Sequence, residues 1–239
     1  MRPRAVPILP FRFMPEAYPA LHRIVDSRAF TMHTPKHFEE TRIEVLHDLI
    51  RRQSLATLIV MGSKGLNANH IPLHLSEAPG SLGTLRGHVS RSNPVWKDFD
   101  PAVPALAIFS GPDAYISPNW YATKKETGQA VPTWNYVVAH AYGPLRVVED
   151  PAWLRAHIDE LTRHKESAFP EPWTTQDAPA DYIARLLGGI VGLEIEVSRI
   201  EGKWKVSQNR QEADRRGVAI GLAELAPEMA DLVKRYGGV

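Results

Sequence analysis

The stretch LRGHVSRSNPVW, residues 85–96, joins a strand to the start of a helix through small, cationic and amide residues. Leu85, Gly87 and Val89 alternate with Arg86, His88 and Ser90, the period-two pattern of a half-buried strand. Arg91, Ser92 and Asn93 then supply a fixed cation, a hydroxyl and an amide. Pro94, favoured at the first helical position, follows at once and opens a short helix through Val95, Trp96 and Phe99. Unpaired N–H groups at a helix start attract anions, and a guanidinium adds a forked, charge-assisted contact. Two readings of this turn stand side by side: an anion cradle built from Arg91, Ser92 and Asn93, or a plain helix cap at Asn93 with Arg91 in solvent.

Upstream, Thr34-Pro35 is a helix-start pair, and Phe38, Val45, Leu46 and Leu49 recur behind it at helical spacing. Residues 55–61 (LATLIVM) form a short apolar strand that ends in the turn Gly62-Ser63-Lys64-Gly65. The return strand, 66–75, places Ala68, His70, Pro72 and His74 on one face and Asn67, Asn69, Ile71, Leu73 and Leu75 on the other. Pro72 cannot donate to a ladder, so this strand belongs at an edge or a bulge. Downstream, 103–109 is a buried strand and 114–142 a long hairpin around a polar turn at 124–128, with Gly143-Pro144 as a bulge before LRVVED. Asp150-Pro151 and Asp177-Ala178-Pro179 open two helices, the second ending at Gly188-Gly189. Residues 190–200 alternate as a strand with one wet face. Glu201-Gly202 turns it into KWKVSQNR, where Lys203, Lys205 and Arg210 form the densest cationic run of the body, and two helices close the chain. Six or seven strands, mostly antiparallel, with helices at the edges, predict an α+β fold built on an antiparallel barrel.

A chain of 239 residues with 44% hydrophobic and 23% charged side chains has the composition of an ordinary globular protein. The absence of cysteine excludes a disulfide framework, a thiolate metal site and a cysteine nucleophile, and it fits a reducing compartment; a cytoplasmic location is expected. No apolar run of about 18 residues is present to span a membrane. Residues 1–31 hold five arginines and two acids and are interrupted by prolines, so they are expected to be an extension outside the fold, with the domain at 32–239. That surplus of three positive charges leaves −2 for the body out of the chain's net +1, which lacks the basic footprint of a domain that grips nucleic acid unaided. His70 and His74 on one strand would lie about 13 Å apart, too far to share an ion, and no metal is expected. The dinucleotide fingerprint, the P-loop and the G-x-S-x-G elbow are all absent.

Seven blocks in order carry a resemblance: TPKHFEE, GLNANHIPL, LRGHVSRSNPVW, GPDAYISPNWY, VPTWNYVVAHAYGPLRVVEDPAWL, IVGLEIEVSRIEGKWKVSQNR and DRRGV. Together they resemble the PaiB family of FMN-binding transcriptional regulators, which is similar to the flavin split barrels of pyridoxamine phosphate oxidase type. The resemblance implies a split β-barrel with peripheral helices, a homodimer, FMN as cofactor and negative regulation of transcription. It places the flavin phosphate at LRGHVSRSNP, with Ser90, Arg91 and Asn93 as contacts and His88 beside them. It also implies that Asn67, Asn69 and His70 run along the ring, and that Trp204 and Arg210 reach the flavin of the other subunit. Where the oxidase branch has paired Arg-Lys at the phosphate, this chain has Arg91-Ser92. No basic recognition helix stands out, so direct DNA contact is not supported by charge. A flavin-dependent oxidoreductase acting on a small molecule, with an indirect effect on transcription, is the alternative.

Overall fold

A computed structural model of the protein describes residues 31–78 and 81–239, and its compact body is Thr34–Val239. The extension expected at 1–31 lies, Thr31 aside, outside the described residues. Among the described residues nine strands form one antiparallel system: β1 (Glu39–Glu40), β2 (Leu55–Gly62), β3 (Gly65–Ser76), β4 (Thr84–Ser90), β5 (Ala105–Ile116), β6 (Thr133–Gly143), β7 (Leu145–Val148), β8 (Ile190–Glu196) and β9 (Arg199–Lys205). Their spatial order is β1-β9-β6-β5-β2-β3-β4-β8-β7. The expected α+β class and antiparallel split barrel with peripheral helices are what the chain adopts.

β3 belongs to both halves of the sheet. Gly65 to Pro72 pair with β2, and Leu73 to Ser76 pair with β4. At the opposite corner the halves are stitched together where β6 hands over to β7. Ser198 N donates to Tyr142 O at 2.9 Å, and a Cβ on Gly143 would come within 2.0 Å of the Glu196 carbonyl oxygen. Only a residue without a side chain permits that approach. Inside, Ala56, Leu58, Leu73, Leu85, Phe109, Ala139, Leu193 and Ile195 form one continuous core, each on the inward positions of an alternating strand.

Among the described residues six α-helices pack around this frame: α1 (Ile43–Arg52), α2 (Ala122–Thr127), α3 (Pro151–Glu166), α4 (Ala180–Gly188), α5 (Glu212–Leu222) and α6 (Pro227–Gly237). α1 buries Leu46, Leu49 and Ile50 against the barrel. Asp150 caps α3 by accepting from Ala152 N at 2.9 Å, with Pro151 at the first helical position as the sequence predicts. Trp153 of α3 lies over β8, where a Cβ on Gly192 would meet the indole at 2.4 Å. Among the described residues no helix is long and apolar enough to cross a membrane.

Four local expectations are corrected. The turn read at Glu201-Gly202 falls instead at 197–198, and Glu201 and Gly202 lie inside β9, paired with His140 and Ala139 of β6. The helix predicted from Thr34-Pro35 is broken into a 3-10 turn (Lys36–Phe38), β1, and then α1. Glu39 and Glu40 are drawn into pairing with Lys203 and Gly202 of β9, and buried Glu40 accepts hydrogen bonds from Arg42 Nε at 2.9 Å and Tyr236 OH at 2.9 Å. The strands foreseen at 103–109 and from 114 are one strand, β5, with a bulge between Ser110 and Asp113 at Gly111-Pro112. The polar turn of the long hairpin is a helix, α2, because Asp214 of α5 accepts from Thr123 N at 2.9 Å and Thr123 Oγ1 at 2.8 Å and so caps it from 91 residues away.

The β6–β7 corner yields a contrast between two glycines. Gly143→Ala should lower stability by about 3 kcal/mol or more, because neither backbone can retreat. Gly188→Ala, which meets nothing within 4 Å, should be neutral or stabilising by about 0.5–1 kcal/mol. Urea midpoints of the two variants measure the difference, and equal midpoints would contradict the corner's role.

Candidate functional site

The pairing of β3 with β4 ends at Leu73 and Gly87. Beyond that point His88, Val89 and Ser90 pair only with β8, and the first half of β3 pairs only with β2. This is the split in the barrel, and it opens a cleft of about 480 Å³. Ile71, His88, Val89, Ser90 and Asn93 line one side; Arg185 and Leu186 of α4, with Gly189 and Ile190, line the other. The volume is that of a small-molecule site.

Asn93 has two duties at the cleft. Its Oδ1 accepts from Val95 N at 3.0 Å, which caps the short 3-10 helix Pro94–Trp96, and its Nδ2 donates to Asn69 Oδ1 at 2.9 Å. Asn69 Nδ2 donates in turn to Asn67 Oδ1 at 2.9 Å. A ladder of three amides therefore crosses the split and ties the RSNP turn to β3. Ser90 and Ser92 share a hydrogen bond at 2.8 Å beside it. The cap and the cradle readings of Asn93 are thus compatible.

Arg91 is placed differently from the expectation. Its Nε donates to Gly188 O at 3.0 Å, its backbone N to Gly189 O at 2.9 Å, and its Nη1 lies 2.7 Å from Glu149 Oε2. A cation on the last carbonyls of α4 is favoured by the helix dipole and braces that helix against the turn. Arg185 is the guanidinium that lines the cleft; it lies over the ring of Tyr182 at 5.5 Å, and it has no carboxylate partner among the described residues. Tyr182, Arg185, Leu186 and Gly189 share one helix face, with Tyr182 and Leu186 exposed at the rim.

His88 stands against α3. Its Nδ1 is 3.2 Å from His157 Nε2, and the His157 ring is stacked on Trp153 at 5.2 Å. Burial holds His88 below its ordinary value, and burial with the nearby His88, His74 and Arg86 pushes His157 down to about 4. Both rings are neutral at neutral pH. The same face of the sheet carries His74, bonded to Glu160 at 3.2 Å, and Arg86, paired with Glu194 at 3.1 Å. Among the described residues no group of three or more acidic or histidine side chains is placed to hold a metal ion.

Of the residues singled out in the sequence, the structure brings together Asn67, Asn69, His88, Ser90 and Asn93, with Arg91 braced just outside. It does not bring the other three to the cleft. His70 points to the opposite face of β3, where its Nδ1 is 3.1 Å from Thr57 Oγ1. Trp204 is buried in the core of its own chain at 3% exposure. Arg210 lies over the Tyr121 ring at 4.7 Å. Arg185 and His157 escaped sequence reasoning; the 3.6-residue spacing of Tyr182, Arg185 and Leu186 marks a helix face, but nothing local says which strand that face meets.

The set fits a flavin in its chemistry. Ile71, Val89, Leu186 and Ile190 offer apolar walls for a flat ring, and the amides offer both donors and acceptors for a ring edge rich in both. Ser90 and Arg185 suit a phosphate.

Comparison with known proteins adds a family. The family model described as "Putative FMN-binding domain" matches residues 32–199. An uncharacterized protein of Emericella nidulans is 34% identical over 238 residues, covering 83% of this chain and 94% of that protein. The "Protease synthase and sporulation protein PAI 2" of Bacillus subtilis is 30% identical over 210 residues, covering 85% of this chain and 97% of that one. Among solved structures, a conserved hypothetical protein of Mycobacterium tuberculosis, Rv2991, shares the fold with a TM-score of 0.50 at 12% identity, covering 75% of this chain and 94% of that one.

An imidazole held below its ordinary 6.5 takes up a proton more readily in the unfolded chain, so stability falls as pH drops from about 6.5 towards about 4 and levels off below. His157 should contribute on the order of 3 kcal/mol to that loss. Urea midpoints taken across the window should show a shallower slope in His157→Leu than in the parent. An identical slope would remove His157 as the titrating group.

Proposed function

We propose, on the premise that this chain belongs to the FMN-binding-domain family matched over residues 32–199, that the cleft at the split of its barrel binds FMN and that the protein is a flavin-dependent oxidoreductase acting on a small molecule. The fold is that of the FMN-binding split barrels, a superfamily of flavin-binding and oxidoreductase-like domains, and the chain is related to the PaiB-type proteins. The observation that carries the proposal is the cleft itself, where apolar walls, an amide ladder, hydroxyls and one uncommitted guanidinium converge.

A bound flavin supplies the redox chemistry, and the chain needs only to hold, orient and screen it. Asn67, Asn69 and Asn93 would read the polar edge of the ring, Leu186 and Ile190 would exclude water from its face, and Ser90 with Arg185 would hold the phosphate. The outer face of β2, β5 and β6 carries Ile59, Ile108 and Val138, bordered by Tyr115 and Trp134, which are 50% and 54% exposed. A second copy of the chain is the occupant we assign to that face, giving a homodimer. A direct grip on DNA is disfavoured, because Arg51, Arg52, Arg146, Arg155 and Arg216 are each ion-paired with a carboxylate rather than free to neutralise phosphates. Any effect on transcription then runs through the small molecule that the protein consumes or makes.

Flavin fluorescence quenching tests the site. Arg185→Ala should weaken FMN about tenfold and leave riboflavin, which lacks the phosphate, nearly unchanged. Arg91→Ala should act mainly on stability, costing about 1–2 kcal/mol through the lost brace on α4. Oxidation of NAD(P)H on addition of FMN is the activity readout. A parent protein that binds neither flavin would overturn the proposal.

A further inference from the structure

His157 is 2% exposed, and its Nδ1 is buried with no hydrogen-bond partner among the described residues. Its other nitrogen, Nε2, faces His88 Nδ1 at 3.2 Å. Two neutral imidazoles in this contact share one proton, and there are two ways to place it. If His88 donates, the remaining proton of His157 must sit on Nδ1, where a buried N–H has nothing to donate to. If His157 donates from Nε2, its Nδ1 carries only a lone pair, and an unsatisfied acceptor is the commoner orphan in protein interiors. The second arrangement leaves His88 Nδ1 as acceptor and therefore puts the proton of His88 on Nε2.

That nitrogen is the remaining polar atom of a side chain that lines the cleft. It is not sealed, and it bonds nothing among the described residues. No carboxylate is free to bond the pair: the groups around it are His74 of β3, Arg86 of β4 and Glu194 of β8, with Glu160 of α3, and the carboxylates among them are already engaged by His74 and Arg86. Trp153, stacked on His157 and pressed against Gly192, holds the His157 ring in register.

We propose that His157 is a positioning residue that fixes the tautomer of His88, so that the cleft presents a neutral Nε2–H donor to an acceptor atom of its ligand. Resting on the flavin reading above, the acceptor is a carbonyl oxygen or bare nitrogen of the heteroaromatic ring. The pair is not an acid–base relay, because protonating His88 on Nδ1 would set two N–H groups against each other. Its role is to keep one donor in place without introducing a positive charge.

The decisive measurement uses the unaltered full chain without flavin. Two-bond 1H–15N correlations of the histidine rings should show His88 protonated on Nε2 and His157 on Nε2. His88 protonated on Nδ1 would overturn the inference. Among variants that keep the parent's melting behaviour, His157→Leu should scramble the His88 tautomer and weaken FMN about fivefold. His157→Gln, which retains a donor near the Nε2 position, should restore both; failure of Gln to restore the tautomer would count against positioning. A parent that shows the Nε2–H pattern yet binds no FMN would sink the flavin reading and leave the tautomer assignment standing. FMN binding with His88 in the Nδ1–H form would sink the assignment alone.

Discussion

The structure depends on one strand serving two sheets. β3 gives its first eight residues to β2 and its last four to β4, so β2 and β4 are held by a common strand yet diverge along its length. Sheet twist separates the two halves, and Pro72, which has no N–H to give a ladder, lies where the partner changes. The opposite corner cannot open to relieve that divergence, because Gly143 is in backbone contact with Glu196. A barrel pinned at one corner and shared at the other must gape between β3 and the end of β4, and the cleft is that gap.

The gap is finished by polar groups that would be costly anywhere else. Three asparagine side chains bridge it in series through two amide-to-amide hydrogen bonds, which leaves further donors and acceptors of the amides for a ligand. The two arginines divide the work. Arg91, within the motif, is neutralised by Glu149 and spent on the C-terminus of α4, whereas Arg185 is held out on the helix that Arg91 braces. The cation nearest in sequence to the turn is therefore a structural tie, and the cation available to a ligand arrives from almost a hundred residues away.

A second polar layer lies between α3 and the outer face of β3, β4 and β8. Histidines rather than aliphatic residues fill it, and burial keeps His88 and His157 neutral. The layer couples α3 to the cleft through a single nitrogen-to-nitrogen contact, so the chemistry presented at the site is set from behind, by residues that never line it.

Much of the fold was legible in the chain because it rests on local patterns. Alternation over residues 85–90, the existence of a strand opening at 190, the Asp150-Pro151 helix start, the cap at Asn93 and the assignment of Asn67 and Asn69 to one face of β3 follow from side-chain periods and turn chemistry that neighbours in sequence dictate. What failed did so where distant groups outvoted local preference: Glu39–Glu40 became a strand because β9 offered hydrogen bonds, and 122–127 became a helix because Asp214 capped it. Trp204 lies in the core of its own chain, which strand alternation alone does not reveal, since it shows two faces but not which one the core will cover. Residue types and their spacing thus determined the elements and most of the donor set. Only the tertiary structure decided that Arg185 rather than Arg91 lines the cleft and that His157 stands behind His88, because both depend on which helix packs over which strand, a long-range choice driven by burial that no short window of sequence encodes.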